Sequence, residues 1–310
     1  MPGERVFVTR RVPEPVRAEL EQSFSVEIHD SEAPLARDEL LARVAGAAGI
    51  VTMLTDAVDG ELLDAAGPEL RVVANYAVGV DNVDLDEAAR RGLVVANTPD
   101  VLTRATAELT VALVLALVRR VAEGDRLVRA GERWAWAPTF MLGEGLEGKT
   151  IGLVGYGRIG QAVGRLASGL GLDVLYSTRS RGVPLAELLE RADVVSIHCP
   201  LTPETHHLIG GPELGRMRSD AYLVNVSRGP IVDEAALARA LAGGVIAGAA
   251  LDVFEREPEV EEALLGLTNV VLTPHIGSAT RQAREAMGML CVDALRAVLL
   301  ERRRPVNAVG

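Results

Sequence analysis

The chain has 310 residues, 48% of them apolar and 24% charged, and a formal net charge of −11. The apolar share supports real hydrophobic cores, and the acidic balance argues against a nucleic-acid or anionic-membrane surface. Two widely separated cysteines, Cys199 and Cys291, make neither a disulfide framework nor a metal cluster, and no N-terminal signal pattern is read, so a soluble cytoplasmic protein without a metal is expected.

From Arg5 the pattern alternates strand and helix. Strands are expected at 6–9, 25–28, 49–54, 70–75 and 93–96, with helices near 13–23, 37–45, 60–66 and 84–91 between them. Units of this length imply a parallel sheet with helices on both faces. An apolar stretch from about Val101 to Val128 then reads as one long helix. Glu108 interrupts it short of the roughly 18–20 uncharged residues a bilayer needs, which argues against a membrane span. After Thr150 the rhythm resumes, with strands near 173–177, 193–198, 221–226, 246–252 and 270–273, and a last helix covers about 280–300.

Between the two halves lies Thr150-Ile-Gly-Leu-Val-Gly-Tyr-Gly-Arg-Ile-Gly160, an apolar strand running into a helical pattern. Gly155, Gly157 and Gly160 stand in G-x-G-x-x-G spacing, which marks a dinucleotide site. The first glycine permits the tight turn, the second lets backbone approach a pyrophosphate, and the third lets helix and strand pack closely. The helix that begins with Arg158 and Ile159 adds unpaired N–H groups and the positive end of its dipole. Because this block sits mid-chain, something folded precedes it. The expected fold class is α/β, with two Rossmann/flavodoxin-like doubly wound parallel-sheet domains and the active site in the cleft between them. Residues 1–98 with 282–310 are expected to form a discontinuous substrate-binding domain, and 99–281 the nucleotide-binding Rossmann domain.

The end of the second Rossmann strand separates NAD from NADP. An acid there bonds a free 2′-hydroxyl, whereas an arginine accommodates a 2′-phosphate. The segment Asp173-Val-Leu-Tyr-Ser-Thr-Arg-Ser-Arg181 has no acid at Ser177 or Thr178, while Arg179 and Arg181 follow. Guanidinium forks suit a phosphate dianion, and the neighbouring hydroxyls can complete its shell. NADP(H) is therefore the preferred cofactor, with NAD(H) second.

Three later strands each end in polar residues: Ala221–Gly229, Ala249–Pro258 and Val270–Ser278. Ligands of open α/β sheets bind at that edge, so an arginine, a glutamate and a histidine should converge there. Arginine can hold a carboxylate and polarise a ketone. Histidine can donate the proton that matches an incoming hydride, and a carboxylate can keep that histidine protonated.

Over essentially its whole length the chain resembles the D-isomer-specific 2-hydroxyacid dehydrogenase family, and within it the glyoxylate/hydroxypyruvate reductases. The resemblance is carried by Gly155–Gly160, His198-Cys-Pro-Leu-Thr202, Asn225-Val-Ser-Arg-Gly229, Leu251-Asp-Val-Phe254 with Glu257-Pro258, and Pro274-His-Ile-Gly-Ser-Ala279. It implies a catalytic trio of Arg228, Glu257 and His275, with His275 the general acid that serves reduction of a small 2-ketoacid by NADPH. It implies substrate contacts at Leu54, at Val78 and Gly79 in the loop Ala77–Asp81, and at Arg228. Implied cofactor contacts are Thr103, Cys199, Pro200, Thr205, Val226, Asp252, His275 and Gly277, beside the glycines and Thr178, Arg179 and Arg181. In the resembling subgroup a tryptophan from the Trp134–Trp136 stretch reaches the neighbouring subunit. With the apolar helix before it, that stretch implies a homodimer through the nucleotide-binding domains.

Two other readings share the core. A phosphoglycerate dehydrogenase is one, although the sequence ends at Gly310 without room for the regulatory domain many of those enzymes carry. A dinucleotide-sensing corepressor is the other, and the intact trio and acidic surface favour turnover over it.

Overall fold

The structure is a computed structural model that describes residues 3–309. In chain order the elements are β1 (Arg5–Val8), α1 (Glu14–Ser23), β2 (Ser25–Ile28), α2 (Arg37–Val44), β3 (Gly49–Thr52), α3 (Gly60–Ala66), β4 (Val72–Asn75), α4 (Leu85–Arg90), β5 (Val94–Ala96), α5 (Thr103–Val118) and α6 (Val121–Arg129). There follow β6 (Thr150–Val154), α7 (Arg158–Gly169), β7 (Asp173–Ser177), α8 (Leu185–Arg191), β8 (Val194–Ile197), α9 (Gly211–Leu214), β9 (Tyr222–Asn225), α10 (Glu234–Ala242), β10 (Gly248–Leu251), α11 (Glu262–Leu265), β11 (Val270–Leu272), α12 (Arg281–Leu299) and β12 (Ala308–Val309). Two compact units result: Met1–Leu102 with Ala279–Gly310, and Thr103–Ser278. The crossings fall at 102/103 and 278/279 rather than at the expected 98/99 and 281/282. Leu102 is buried, and the chain passes to the second unit only where α5 begins.

The first unit carries a sheet in the order β2-β1-β3-β4-β5, all parallel, with β12 added antiparallel to β5. Strands β3 and β4 are buried at every residue, so they read as continuous apolar runs instead of alternating ones. On one face Leu40, Val44, Leu62 and Leu63 pack with Phe7 and Ile50. On the other lies α12, where a Cβ on Gly49 would meet Leu295 at 2.6 Å and one on Gly288 would meet Val16 of α1 at 2.4 Å. The terminal strand β12 is outside the expected elements, since two residues show no period.

The second unit is a six-stranded parallel sheet in the order β7-β6-β8-β9-β10-β11. Its direction of growth reverses between β6 and β8, which is where open sheets of this kind receive ligands. Leu188, Leu223 and Leu237 fill one face; Leu113, Leu117 and Val163, from α5 and α7, fill the other. The stretch Val101–Val128, expected as one helix, is two. Arg120 takes a left-handed φ of 55°, and the Glu144 N–H donates to the Val118 carbonyl at the end of α5. The apolar run also stops there, at Arg119-Arg120. Among the described residues no helix is long and apolar enough to cross a membrane.

Candidate active site

The glycine loop follows β6 directly. Gly155 has φ 95°, and a Cβ there would lie 2.5 Å from the Cys199 nitrogen; one on Gly160 would lie 2.4 Å from the Gly155 carbonyl oxygen. Both positions exclude any side chain. At Gly157 an added Cβ meets nothing within 4 Å, and this residue caps α7 without any side-chain cap bond. The first turn of α7, from Arg158 through Ile159 to Gly160, is the helix start, where backbone N–H groups lie beyond the intrahelical ladder, a cradle that fits a dinucleotide pyrophosphate.

Next along the sheet edge, Thr178 follows β7. Its hydroxyl donates to the Arg181 carbonyl and accepts from the Arg181 N–H, both at 2.8 Å. The hydroxyl thus closes the 178–181 turn, while Arg179 and Arg181 are exposed on it. After β8, burial pushes the His198 imidazole down to about 3, so it is neutral; its Nε2 lies 2.9 Å from Ser196 Oγ. Burial likewise raises the Cys199 thiol to about 11, which makes it a packing residue rather than a nucleophile. The Cys199 carbonyl accepts from Ser227 Oγ at 2.5 Å, and Thr205 Oγ1 donates to the Pro200 carbonyl at 2.8 Å. Val226, which follows β9, is buried.

The three strand ends bring Arg228, Glu257 and His275 into one cluster. Beyond β9, Asn225 folds the chain back by donating to the Arg228 carbonyl at 2.8 Å and accepting from the Ser227 N–H at 3.0 Å. Glu257 Oε1 accepts the Phe254 N–H at 3.0 Å, and Oε2 lies 2.8 Å from His275 Nδ1. An ionised carboxylate can only accept, so Nδ1 carries its proton toward Glu257. Burial opposes charge on Glu257. The His275 hydrogen bond and charge, the Phe254 N–H and the Arg228 guanidinium outweigh it and hold the carboxyl below its ordinary range.

His275 itself is fixed by Asp252, which follows β10. Asp252 Oδ1 accepts from Thr273 Oγ1 at 2.6 Å and from the Ile276 N–H at 2.8 Å, and Oδ2 accepts the Gly277 N–H at 2.7 Å. With no exposed surface, Asp252 acts on the site through this loop. A Cβ on Gly277 would meet Asp252 Oδ2 at 3.3 Å and Thr106 at 3.5 Å, so α5, which starts at Thr103, passes close behind.

In the first unit the loop after β4 is braced through its carbonyls. Those of Ala77, Val78 and Gly79 accept from the Thr98 N–H, Asn97 Nδ2 and Asn75 Nδ2 at 2.8–2.9 Å. Among the described residues the N–H groups of Val78 and Gly79 have no protein partner. The pairing Thr52↔Asn75 brings the turn holding Leu54 to the same edge, where Asp56 accepts the Met53 N–H at 2.8 Å. A cavity of about 300 Å³ in the second unit, lined by Arg120, Glu123, Tyr222 and Asn269, opens at the opposite edge of its sheet, away from the trio.

Residues 111–277 match the family described as D-isomer specific 2-hydroxyacid dehydrogenase, NAD binding domain. The chain belongs to that family. It is an NAD(P)-dependent dehydrogenase. The glyoxylate reductase of Thermococcus gammatolerans is 50% identical over 302 residues, covering 92% of this chain and 90% of the relative. A crystal structure of a Thermus thermophilus protein is similar with a TM-score of 0.93 at 46% identity, covering 99% of this chain and 100% of that one. The NADPH-dependent glyoxylate/hydroxypyruvate reductase of Sinorhizobium meliloti, solved with NADP and malonate, has a TM-score of 0.85 at 35% identity, over 99% and 96% of the two chains.

Sequence reasoning picked out the trio but not what holds it. Asn225 could have been noticed as an amide ending a buried strand, a position that wants local backbone partners. The lowered carboxyl of the enzyme's Glu257 sets a sign for acid stability. Its stabilising contribution is full above the ordinary value near 4.5 and disappears as pH falls through the lowered folded-state value. Wild type should therefore exceed Glu257→Gln in stability at about pH 4.5, and the margin should shrink as pH falls further. Urea unfolding at a series of pH values below about 4.5 checks this; a margin that widens over that range contradicts it.

Proposed function

We propose that the enzyme reduces a small 2-ketoacid, glyoxylate or hydroxypyruvate, to the D-2-hydroxyacid with NADPH. The bond between His275 Nδ1 and Glu257 Oε2 carries this reading, because it leaves Nε2 as the proton-donating atom. In the reductive direction His275 starts as a cation held by the Glu257 carboxylate. It passes the Nε2 proton to the ketone oxygen as charge develops there, and Glu257 keeps the Nδ1 proton in place. Arg228 binds the substrate carboxylate and polarises the carbonyl, and its charge stabilises the developing alkoxide. Val78 and Gly79 are assigned further carboxylate contacts through their N–H groups, and Leu54 an apolar contact. A sensing role would not require this histidine–carboxylate bond. The relatives named glyoxylate reductase support the substrate class.

Bound NADPH supplies the hydride. The start of α7 and Gly157 would hold its pyrophosphate, and Arg179 and Arg181 its 2′-phosphate. Thr103, Cys199, Pro200, Thr205, Val226, Asp252 and Gly277 are assigned to its surroundings, Asp252 through the loop it holds.

A homodimer built on the nucleotide-binding unit completes the proposal. Val121, Val128, Trp134, Trp136 and Leu142 are each more than half exposed, an apolar surface suited to a two-fold partner. Trp134 stacks on Phe140 at 6.3 Å between ring centroids, which gives this arm a shape of its own.

Three outcomes follow from these roles. His275→Gln should lower kcat for glyoxylate reduction by about 10² or more with NADPH binding retained, while Arg228→Lys should raise KM because a point charge cannot reproduce the planar fork. Steady-state kinetics decide; wild-type values in either variant remove that residue from its role. Second, kcat/KM should favour NADPH over NADH by about tenfold or more, one charge-assisted bond's worth. Thr178→Asp with Arg179→Ala should shift preference toward NADH, because an acid bonds the free 2′-hydroxyl and repels phosphate. Equal wild-type values would place both arginines in solvent. Third, light scattering should give about twice the chain mass of 32.9 kDa, and a stable, active monomer would refute the dimer.

A further inference from the structure

The loops that carry Arg228 and Glu257 are joined by a second pair of glutamates. Glu234 opens α10, where first-turn N–H groups lack intrahelical partners. Its N–H donates to Glu255 Oε1 at 2.8 Å, and the Glu255 N–H donates to Glu234 Oε1 at 2.7 Å. Each carboxylate thus accepts the other residue's backbone. Glu234 is buried although it carries a charge-bearing group, and the α10 dipole favours the Glu255 carboxylate at its N-terminus.

The surrounding contacts tighten the same junction. A Cβ on Gly229 would lie 1.9 Å from the Phe254 carbonyl carbon, so the two backbones touch immediately after Arg228. From the loop after β8, His207 Nε2 lies 3.3 Å from Glu255 Oε2, and the His207 N–H donates to the Pro230 carbonyl at 2.8 Å. Neither Glu234 nor Glu255 belongs to the proton-transfer cluster. Both lie in the segments that deliver it.

We propose that Glu234 and Glu255 are positioning residues, a reciprocal clamp that locks the Arg228 loop against the Glu257 loop and sets the guanidinium in register with the Glu257–His275 pair. The clamp rests on the roles proposed above for Arg228, Glu257 and His275. Substrate must meet the guanidinium and the imidazole together, so loosening this junction weakens ketoacid binding and slows turnover in the folded enzyme. The glycine loop and the 178–181 turn do not depend on it. A merely structural pair would lower stability and leave both kinetic constants alone.

The test uses the whole chain with NADPH and glyoxylate, and compares wild type, Glu234→Ala, Glu234→Gln, Glu255→Ala and the double alanine variant. Each single alanine variant should raise KM for glyoxylate by about tenfold, the effect of one buried donor left unpaired, and should also lower kcat. Glu234→Gln retains the accepting oxygen and should stay within about twofold of wild type. The double variant should fall short of the product of the singles, because both undo one junction. NADPH dissociation constants from fluorescence titration should be unchanged, which also certifies the fold. Alanine variants that bind NADPH normally and keep wild-type KM and kcat overturn the clamp, as does a Gln variant no better than Ala. If wild type reduces no ketoacid, the assigned reaction fails separately. Hydrogen exchange then decides the clamp: faster exchange at both the 228–231 and 254–257 amides in Glu234→Ala supports it, and unchanged exchange overturns it.

Discussion

One buried carboxylate organises the end of the nucleotide-binding sheet. Asp252 has no exposed surface, and burying an ionisable group is costly unless its lone pairs are filled. Burial does push its carboxyl up, against the three hydrogen bonds from Thr273, Ile276 and Gly277 that favour the charge. Its own N–H donates to the Asn225 carbonyl, and its carbonyl accepts the His275 N–H, so one residue ties the ends of β9, β10 and the loop after β11 together. His275 is held at a left-handed φ of 52° there, a conformation that a non-glycine residue keeps when its surroundings over-determine it. The ring is thereby aimed by backbone before Glu257 adds its side-chain bond.

Parallel pairing explains why residues so far apart in sequence meet. The register runs Ser177↔Val154, Val154↔Ile197, Ile197↔Asn225, Asn225↔Leu251 and Leu251↔Leu272, a single row across all six strands. The next residues beyond that row are Thr178, Gly155, His198, Val226, Asp252 and Thr273. Each begins one of the segments that hold the site. Parallel strands present all their C-terminal ends to one edge, so one crossover after another delivers a new functional loop to the same place.

This regularity is also why much of the molecule was legible in its residues. Strands buried on both faces appear as short apolar runs, and β6 running into Gly155–Gly160 announces a strand, turn and helix at once. Arg228, Glu257 and His275 could be singled out because polar residues at the ends of such runs stand apart from their surroundings. What escaped depends on geometry instead of pattern. The break between α5 and α6 is made by Gly143 and Glu144 returning from far along the chain to meet the Val118 carbonyl. The two-residue strand β12 exists only because β5 offers it an edge. The Thr178 hydroxyl closes its own turn through Arg181, an arrangement that only the local backbone path can reveal. The partners of Asp252, and Glu234 with Glu255, are contacts across loops that sequence spacing does not encode.

The same row separates two properties of the enzyme. The turn bearing Arg179 and Arg181 follows the edge strand β7, whereas the trio follows β9, β10 and β11, with β6 and β8 between them. An edge turn has a neighbour on one side only, and Thr178 stabilises this one internally through Arg181. Residues there can change without disturbing the packing that aims His275. The loops that carry the proposed trio have no such freedom: Gly229 lies against Phe254, Asp252 is filled on both oxygens, and Glu257 is engaged on both of its own. The turn proposed to hold the 2′-phosphate is thus placed where substitution is structurally cheap, and the groups proposed for proton transfer where each is fixed by at least two others.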